Sequence, residues 1–154
     1  MVFQIATNWK LLQYSGMPCN TLAERLKKSR LLTGLSQEEL AKKVGISRSV
    51  LNDVEAGYRD KILKPTLLKL LTVLDRDILC DEYYRFVLEQ EEKLKPLVEK
   101  YGLRKLARMI GVDPSSLDHW KRGDYQISRR HFERIVELNL LRRECEVFSV
   151  NSFL

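Results

Sequence analysis

Along most of the chain, apolar side chains recur every three to four positions, the period of amphipathic helices. The stretch 36–57 shows it most clearly. Leu40, Ala41 and Val44 form one stripe, while Glu38, Glu39, Lys42 and Lys43 face outward. Ser36, followed three residues later by Glu39, is a capping box that starts this helix. Gly45 stands where its end needs a left-handed residue. Ser47 caps a second helix, whose inner face is Val50, Leu51 and Val54, and Gly57 ends it. A helix is expected before the pair, over 21–33. Another should follow it, opened by Pro65 and carrying Leu67, Leu68, Leu70, Leu71 and Leu74.

Farther on, residues 76–97 join strong helix formers to apolar positions at Ile78, Tyr83, Phe86, Val87, Leu88 and Leu94, and Pro96 should end or kink that helix. Next come a helix over 103–110, a turn at Gly111, and a helix capped by Asp113 with Pro114 in its first position. A closing helix over 128–142 offers Phe132, Ile135, Val136 and Leu138 as its inner face. The flanks 2–6 and 145–150 alternate like short strands, although chain ends are where fraying concentrates.

The helix–turn–helix spacing occurs twice. LAKKVGISRSVLNDVEAG at 40–57 and LARMIGVDPSSLDHWKRG at 106–123 share Leu, Ala, Gly, Ser, Leu and Gly at an offset of 66. These matches fall at the small, apolar and glycine positions that packing demands. Two copies of one supersecondary unit fit better than a solenoid, which needs three or more repeats.

Composition narrows the class. Of 154 residues, 44% are hydrophobic and 31% charged, which excludes disordered and collagen-like chains. No apolar run approaches the roughly 20 residues of a membrane span. Residues 1–20 make a poor signal peptide, so a cytoplasmic protein is expected. Cys19, Cys80 and Cys145 fit neither a disulfide framework nor a zinc site. His119 and His131 have no ligand partners at zinc spacing, and no phosphate loop, nucleophile elbow or paired-carboxylate motif occurs. The reading is therefore a non-enzyme with no metal and no cofactor. The net charge of +6 is unevenly spread. Residues 21–75 carry 11 basic and 7 acidic side chains, residues 76–99 carry 4 and 7, and residues 100–144 carry 11 and 6. Two basic lobes around an acidic connector suit a polyanionic partner.

The stretch TLAERLKKSRLLTGLSQEELAKKVGISRSVLNDVEAGYR resembles the DNA-binding domain of the XRE family, the phage Cro and lambda-type repressors. The resemblance rests on S-Q-E-E-L-A-x-x-x-G-I-S with V-L-x-x-x-E-x-G after it. It covers about residues 21–75 and implies a five-helix Cro/lambda-repressor-like domain (21–78). With the helical periods and the repeat, the chain is expected to be all-α, with an arm (1–20), that domain, an acidic linker helix (79–98), a second, smaller helix-turn-helix-like domain (99–144) and a tail (145–154). The resemblance also implies a sequence-specific regulator of double-stranded DNA, most often a repressor. The helix of residues 47–56 would enter the major groove, which is about as wide as a helix. Ser47, Arg48, Ser49, Asn52 and Asp53 are then the base-edge candidates. Gln37, Tyr58, Arg59, Lys61 and Lys64 are the phosphate candidates. Arg30 and Glu55 would form a partly buried structural ion pair.

The second copy departs from this pattern. At the same offset Gln37 becomes Leu103, Arg30 becomes Pro96 and Glu55 becomes Lys121. Trp120, at the position of Val54, is read as core. A second DNA surface would draw on Arg104, Lys105, Arg108, Ser115, His119, Arg122, Arg129 and Arg130. The competing reading gives residues 99–144 to dimerisation or a protein partner, as in an antitoxin or adaptor. A homodimer on a palindromic site and a single chain with two reading heads both remain open.

Overall fold

Thr21 opens the helix of residues 22–33. Its hydroxyl accepts from the Glu24 amide, and the Glu24 carboxylate accepts from the Thr21 amide in return. The helix, α1, runs Leu22–Thr33 in the computed structural model, which describes Trp9 and residues 12–141. Both strand-like flanks, 2–6 and 145–150, lie outside the described residues, as do the tail and half of the arm. The described chain is all helical and divides into two units between Glu82 and Tyr83.

In the first unit α1 is followed by α2 (Gln37–Val44), α3 (Arg48–Glu55), α4 (Lys64–Leu70) and α5 (Arg76–Leu79). Ser36 and Glu39 close the capping box of α2, and Gly45 leaves it at φ 72°. There the amides of Gly45 and Ile46 both donate to the Ala41 carbonyl at 3.0 Å. A single acceptor thus terminates α2 and turns the chain within three residues. Ser47 caps α3 through the Val50 amide at 3.3 Å.

Leu26, Leu40, Leu51, Val54, Leu67, Leu70 and Leu79 are almost fully buried in this unit. Each such side chain contributes about 1.5–3 kcal/mol by leaving water. Ile62 joins them from the loop before α4, whereas Leu68, expected inside, is exposed. Val50 is half-buried. A buried cation also binds α1 to α5. The Nε of Arg25 donates to the Leu79 carbonyl at 3.1 Å, one Nη to the Asn20 carbonyl at 2.9 Å and the other to Asp81 at 3.1 Å.

The expected acidic linker helix over 79–98 is not one helix. Glu82–Leu88 (α6) and Gln90–Tyr101 (α7) follow α5, with breaks at Cys80 and Glu89. Tyr83, Tyr84, Phe86 and Val87 are buried in the second unit, so this segment belongs to that unit's core. The rings of Tyr83 and Phe86 lie 5.7 and 5.2 Å from that of Phe132. Pro96 does not end its helix: it sits inside α7. Pro96 and Glu92, whose carbonyl loses its intrahelical donor, are both exposed, so the helix tolerates the proline on its solvent side.

The second unit continues with α8 (Leu103–Ile110), α9 (Pro114–Arg122) and α10 (Arg129–Glu137). At its turn the amides of Gly111 and Val112 donate to the Ala107 carbonyl at 2.8 and 2.9 Å, the same bonding as at Gly45. Gln90 is buried at the start of α7. Its amide donates to the carbonyls of Trp120 and Tyr125, and its carbonyl accepts from the Ile127 amide, all at 2.8 Å. α10 is shorter than expected, because Asn139 adopts φ 53° and turns the chain. Val136 is exposed, and Leu140 is buried instead.

Candidate nucleic-acid interface

Two surfaces of α3 are chemically opposite. Leu51 and Val54 are buried against the unit's core, and Val50 is half-buried beside them. Ser47, Arg48, Ser49 and Asn52 are exposed on the other side. Ser47 and Ser49 share a hydroxyl–hydroxyl bond of 3.1 Å. Arg48 reaches Glu38 only at 3.9 Å, with its side chain 67% exposed, so solvent screens that contact and the guanidinium stays available. The helix is short, and its outward face is polar and unencumbered.

What holds α3 at its angle is a buried polar cluster. Glu55, at the end of α3, receives Arg30 Nε at 2.6 Å and Nη2 at 2.9 Å, a bidentate pair with side chains 10% and 5% exposed. Arg30 Nη1 also donates to the Leu35 carbonyl at 2.9 Å. The Glu55 carboxylate bonded to it raises the Arg30 pKa above its ordinary value, in spite of burial, so this cation is permanent. Gln37 completes the cluster: its side-chain amide donates to Glu55 Oε2 at 2.8 Å. The residue singled out for phosphate contact is therefore tied to the ion pair in the free protein.

Asp53 is half-buried, and its carboxylate lies 3.4 Å from Arg59 Nε. The Arg59 amide donates to the Asp53 carbonyl at 3.0 Å, past Gly57 at φ 80°. A base-edge candidate and a phosphate candidate are thus paired with each other. Nothing in residue spacing announces that pairing. Tyr58 is 82% exposed and Lys61 is exposed; Lys64 is half-buried at the start of α4.

The second unit arranges its candidates differently. Arg104, Lys105 and Arg108 are exposed along α8, and Arg130 is exposed on α10. Arg129 lies over the Tyr83 ring at 4.5 Å. On α9, Arg122 and Lys121 both bind Asp118. Ser115 binds Asp113, and His119 Nδ1 lies 2.9 Å from Asp124. Trp120 is buried, its ring 5.1 Å from that of His131. Among the described residues no set of His, Cys, Asp and Glu could hold a metal ion, and no helix is long and apolar enough to cross a membrane.

The comparisons with known proteins bear on the first unit. Residues 26–79 match the family model described as helix-turn-helix. No curated protein and no solved structure matches the chain. Over residues 26–79 the chain is a helix-turn-helix domain of the XRE, Cro/C1 type, the domain of a DNA-binding regulator.

Proposed function

We propose that the protein is a sequence-specific repressor of transcription that reads double-stranded DNA through the major groove with α3. The observation that carries this reading is the exposed, polar outer face of α3 on a helix whose inner face is buried and whose end is fixed by the Arg30–Glu55 pair. A helix about 10–12 Å across fits a groove about 12 Å wide. In that seat Arg48 donates two bonds to a guanine and Asn52 pairs with an adenine, with Ser47, Ser49 and Asp53 at the margins. Gln37, Tyr58, Arg59, Lys61 and Lys64 contact backbone phosphates and fix the register. Repression follows by occlusion of a promoter.

The test is binding selection from a random duplex pool with the full chain. One enriched motif is expected, and Arg48→Ala should relax it at one base pair, at a cost of about 1–3 kcal/mol in discrimination. Equal retention of every sequence by the unmodified protein would sink the proposal. A palindromic motif from a chain that sediments as a dimer supports a twofold repressor. A direct or asymmetric motif from a monomer supports two heads on one chain. Sedimentation at working concentration separates these arrangements.

A further inference from the structure

The basic side chains of the second unit do not lie where a reading helix would carry them. At the offset of 66, the positions of Arg48 and Asn52 are occupied by Pro114 and Asp118. Proline has no side-chain donor, and a carboxylate repels phosphate. The two cations at the end of α9, Lys121 and Arg122, are bound to Asp118 of their own helix. Ser115 and His119 are likewise bonded within α9 or just beyond it. The outward face of α9 is internally satisfied and close to neutral.

On α8 the situation is reversed. Leu106, Ala107 and Ile110 are buried, while Arg104, Lys105 and Arg108 are exposed on its outer side. None of the three has an ion-pair partner among the described residues. Their counterparts on α2 are Glu38, Glu39 and Lys42. The first turn of α2 is acidic, as the helix dipole prefers, and that of α8 holds Arg104 and Lys105 with no acid at all. Cations there oppose the dipole, typically by a few tenths of a kcal/mol each at an exposed site. A local rule broken without an internal gain points to an external anion.

We propose that α8 grips the DNA phosphate backbone through Arg104, Lys105 and Arg108 and reads no sequence. The inference rests on the DNA-binding reading of the first unit. Point charges spaced along one helix face suit a polyanion with evenly repeated charge; beside them Pro114 has no side-chain donor or acceptor, and the Asp118 carboxylate is already held by Lys121 and Arg122. Because the two units share one chain, each engages at the effective concentration set by the other. The second unit then adds affinity and salt dependence, while α3 supplies the specificity.

The test uses the full chain with Arg104→Ala, Lys105→Ala and Arg108→Ala combined. All duplexes should bind more weakly, by at least about tenfold at low salt. The slope of log affinity against log salt should fall by about 2–3, near 0.9 for each phosphate no longer neutralised, and the selected motif should keep its length and sequence. The charge-preserving set Arg104→Lys, Lys105→Arg and Arg108→Lys should retain the slope. A motif that shortens or changes in the alanine variant would show that the unit reads bases, overturning the proposal. Unchanged affinity and slope would overturn it too, assigning the face to another anionic partner such as an acidic protein. Equal weakening in the charge-preserving set would also count against it. If the unmodified chain binds no duplex, the first unit's reading falls and this one with it, a result distinct from an unchanged slope.

Discussion

The side-chain amide of Gln37 and the guanidinium of Arg30 converge on a single carboxylate, that of Glu55. Three helices therefore meet at one buried acid: α1 through Arg30, α2 through Gln37 and α3 through Glu55 itself. The angle between α2 and α3 is fixed by hydrogen bonds as well as by the burial of Leu40 and Leu51.

Glu55→Ala should accordingly cost about 3–5 kcal/mol, the range for removing one partner of a buried ion pair. Arg30 would be left charged with only the Leu35 carbonyl to accept from it, and its permanent protonation gives no escape. Stability and DNA binding should fall together, because α3 loses its support. Denaturant unfolding followed by circular dichroism measures the first, and duplex binding below the new midpoint measures the second. An unshifted midpoint would refute the structural role.

Asp53 and Arg59 should respond in opposite directions. Their contact of 3.4 Å is between partly exposed groups, so the pair itself is worth no more than about 1 kcal/mol. Arg59→Ala should weaken all duplexes evenly and flatten the salt dependence by the increment of about one phosphate. Asp53→Asn removes a negative charge from the surface proposed to meet phosphates and releases Arg59. It should strengthen binding to random DNA and steepen its salt dependence. Titration of unrelated duplexes at two ionic strengths decides between them, and weaker binding by Asp53→Asn would identify Asp53 as a required support for Arg59.

The two turn glycines give a purely conformational test. Gly45 and Gly111 hold φ 72° and 83°, and a Cβ built on either meets nothing within 4 Å. Alanine therefore fits in space and bears only the cost of the left-handed backbone, about 1–2 kcal/mol. Gly45→Ala should lower the stability of the first unit by that amount and Gly111→Ala that of the second. Asparagine at either position should cost less. A much larger drop at either site, measured by denaturant unfolding, would mean that the turn is constrained by more than its φ.

Residues 36–57 were largely legible because each local signal has a local cause: Ser36 and Ser47 cap, Gly45 turns, and the apolar spacing selects the buried face. The polar partnerships were less accessible. Arg25 lies on the stripe Leu22, Arg25, Leu26, Ser29 and Arg30, all buried in α1. The helical period thus places Arg25 inside, but its partners Leu79 and Asp81 are more than fifty residues away. Gln90 is similar: charged neighbours on both sides disguised a residue whose three bonds reach 30–37 positions ahead. The acidic segment around it reads as a linker helix because its net charge dominates the pattern. Tyr83, Tyr84 and Phe86 decided its actual place.

His131 should make the second unit sensitive to mild acid. Its ring packs 5.1 Å from that of Trp120, and its Nδ1 lies 2.8 Å from the Ser128 hydroxyl. Burial, reinforced by the adjacent Arg130, lowers its pKa below the ordinary 6.5. The folded state consequently takes up a proton less readily than the unfolded chain does. Above about pH 7 both forms are neutral, and the contribution to stability is full. As pH falls through 6.5 the unfolded state protonates first, so stability declines until the folded pKa is passed. Asp113 and Asp118 have lowered pKa values, from hydrogen bonds with Ser115 and with Lys121 respectively. They act only below about pH 5 and leave this window clear. Denaturant unfolding followed by Trp120 fluorescence in a Trp9→Phe background should give a lower midpoint at pH 5.5 than at pH 7.5. His131→Gln should shrink that difference, and an unchanged difference in this variant would locate the acid sensitivity elsewhere.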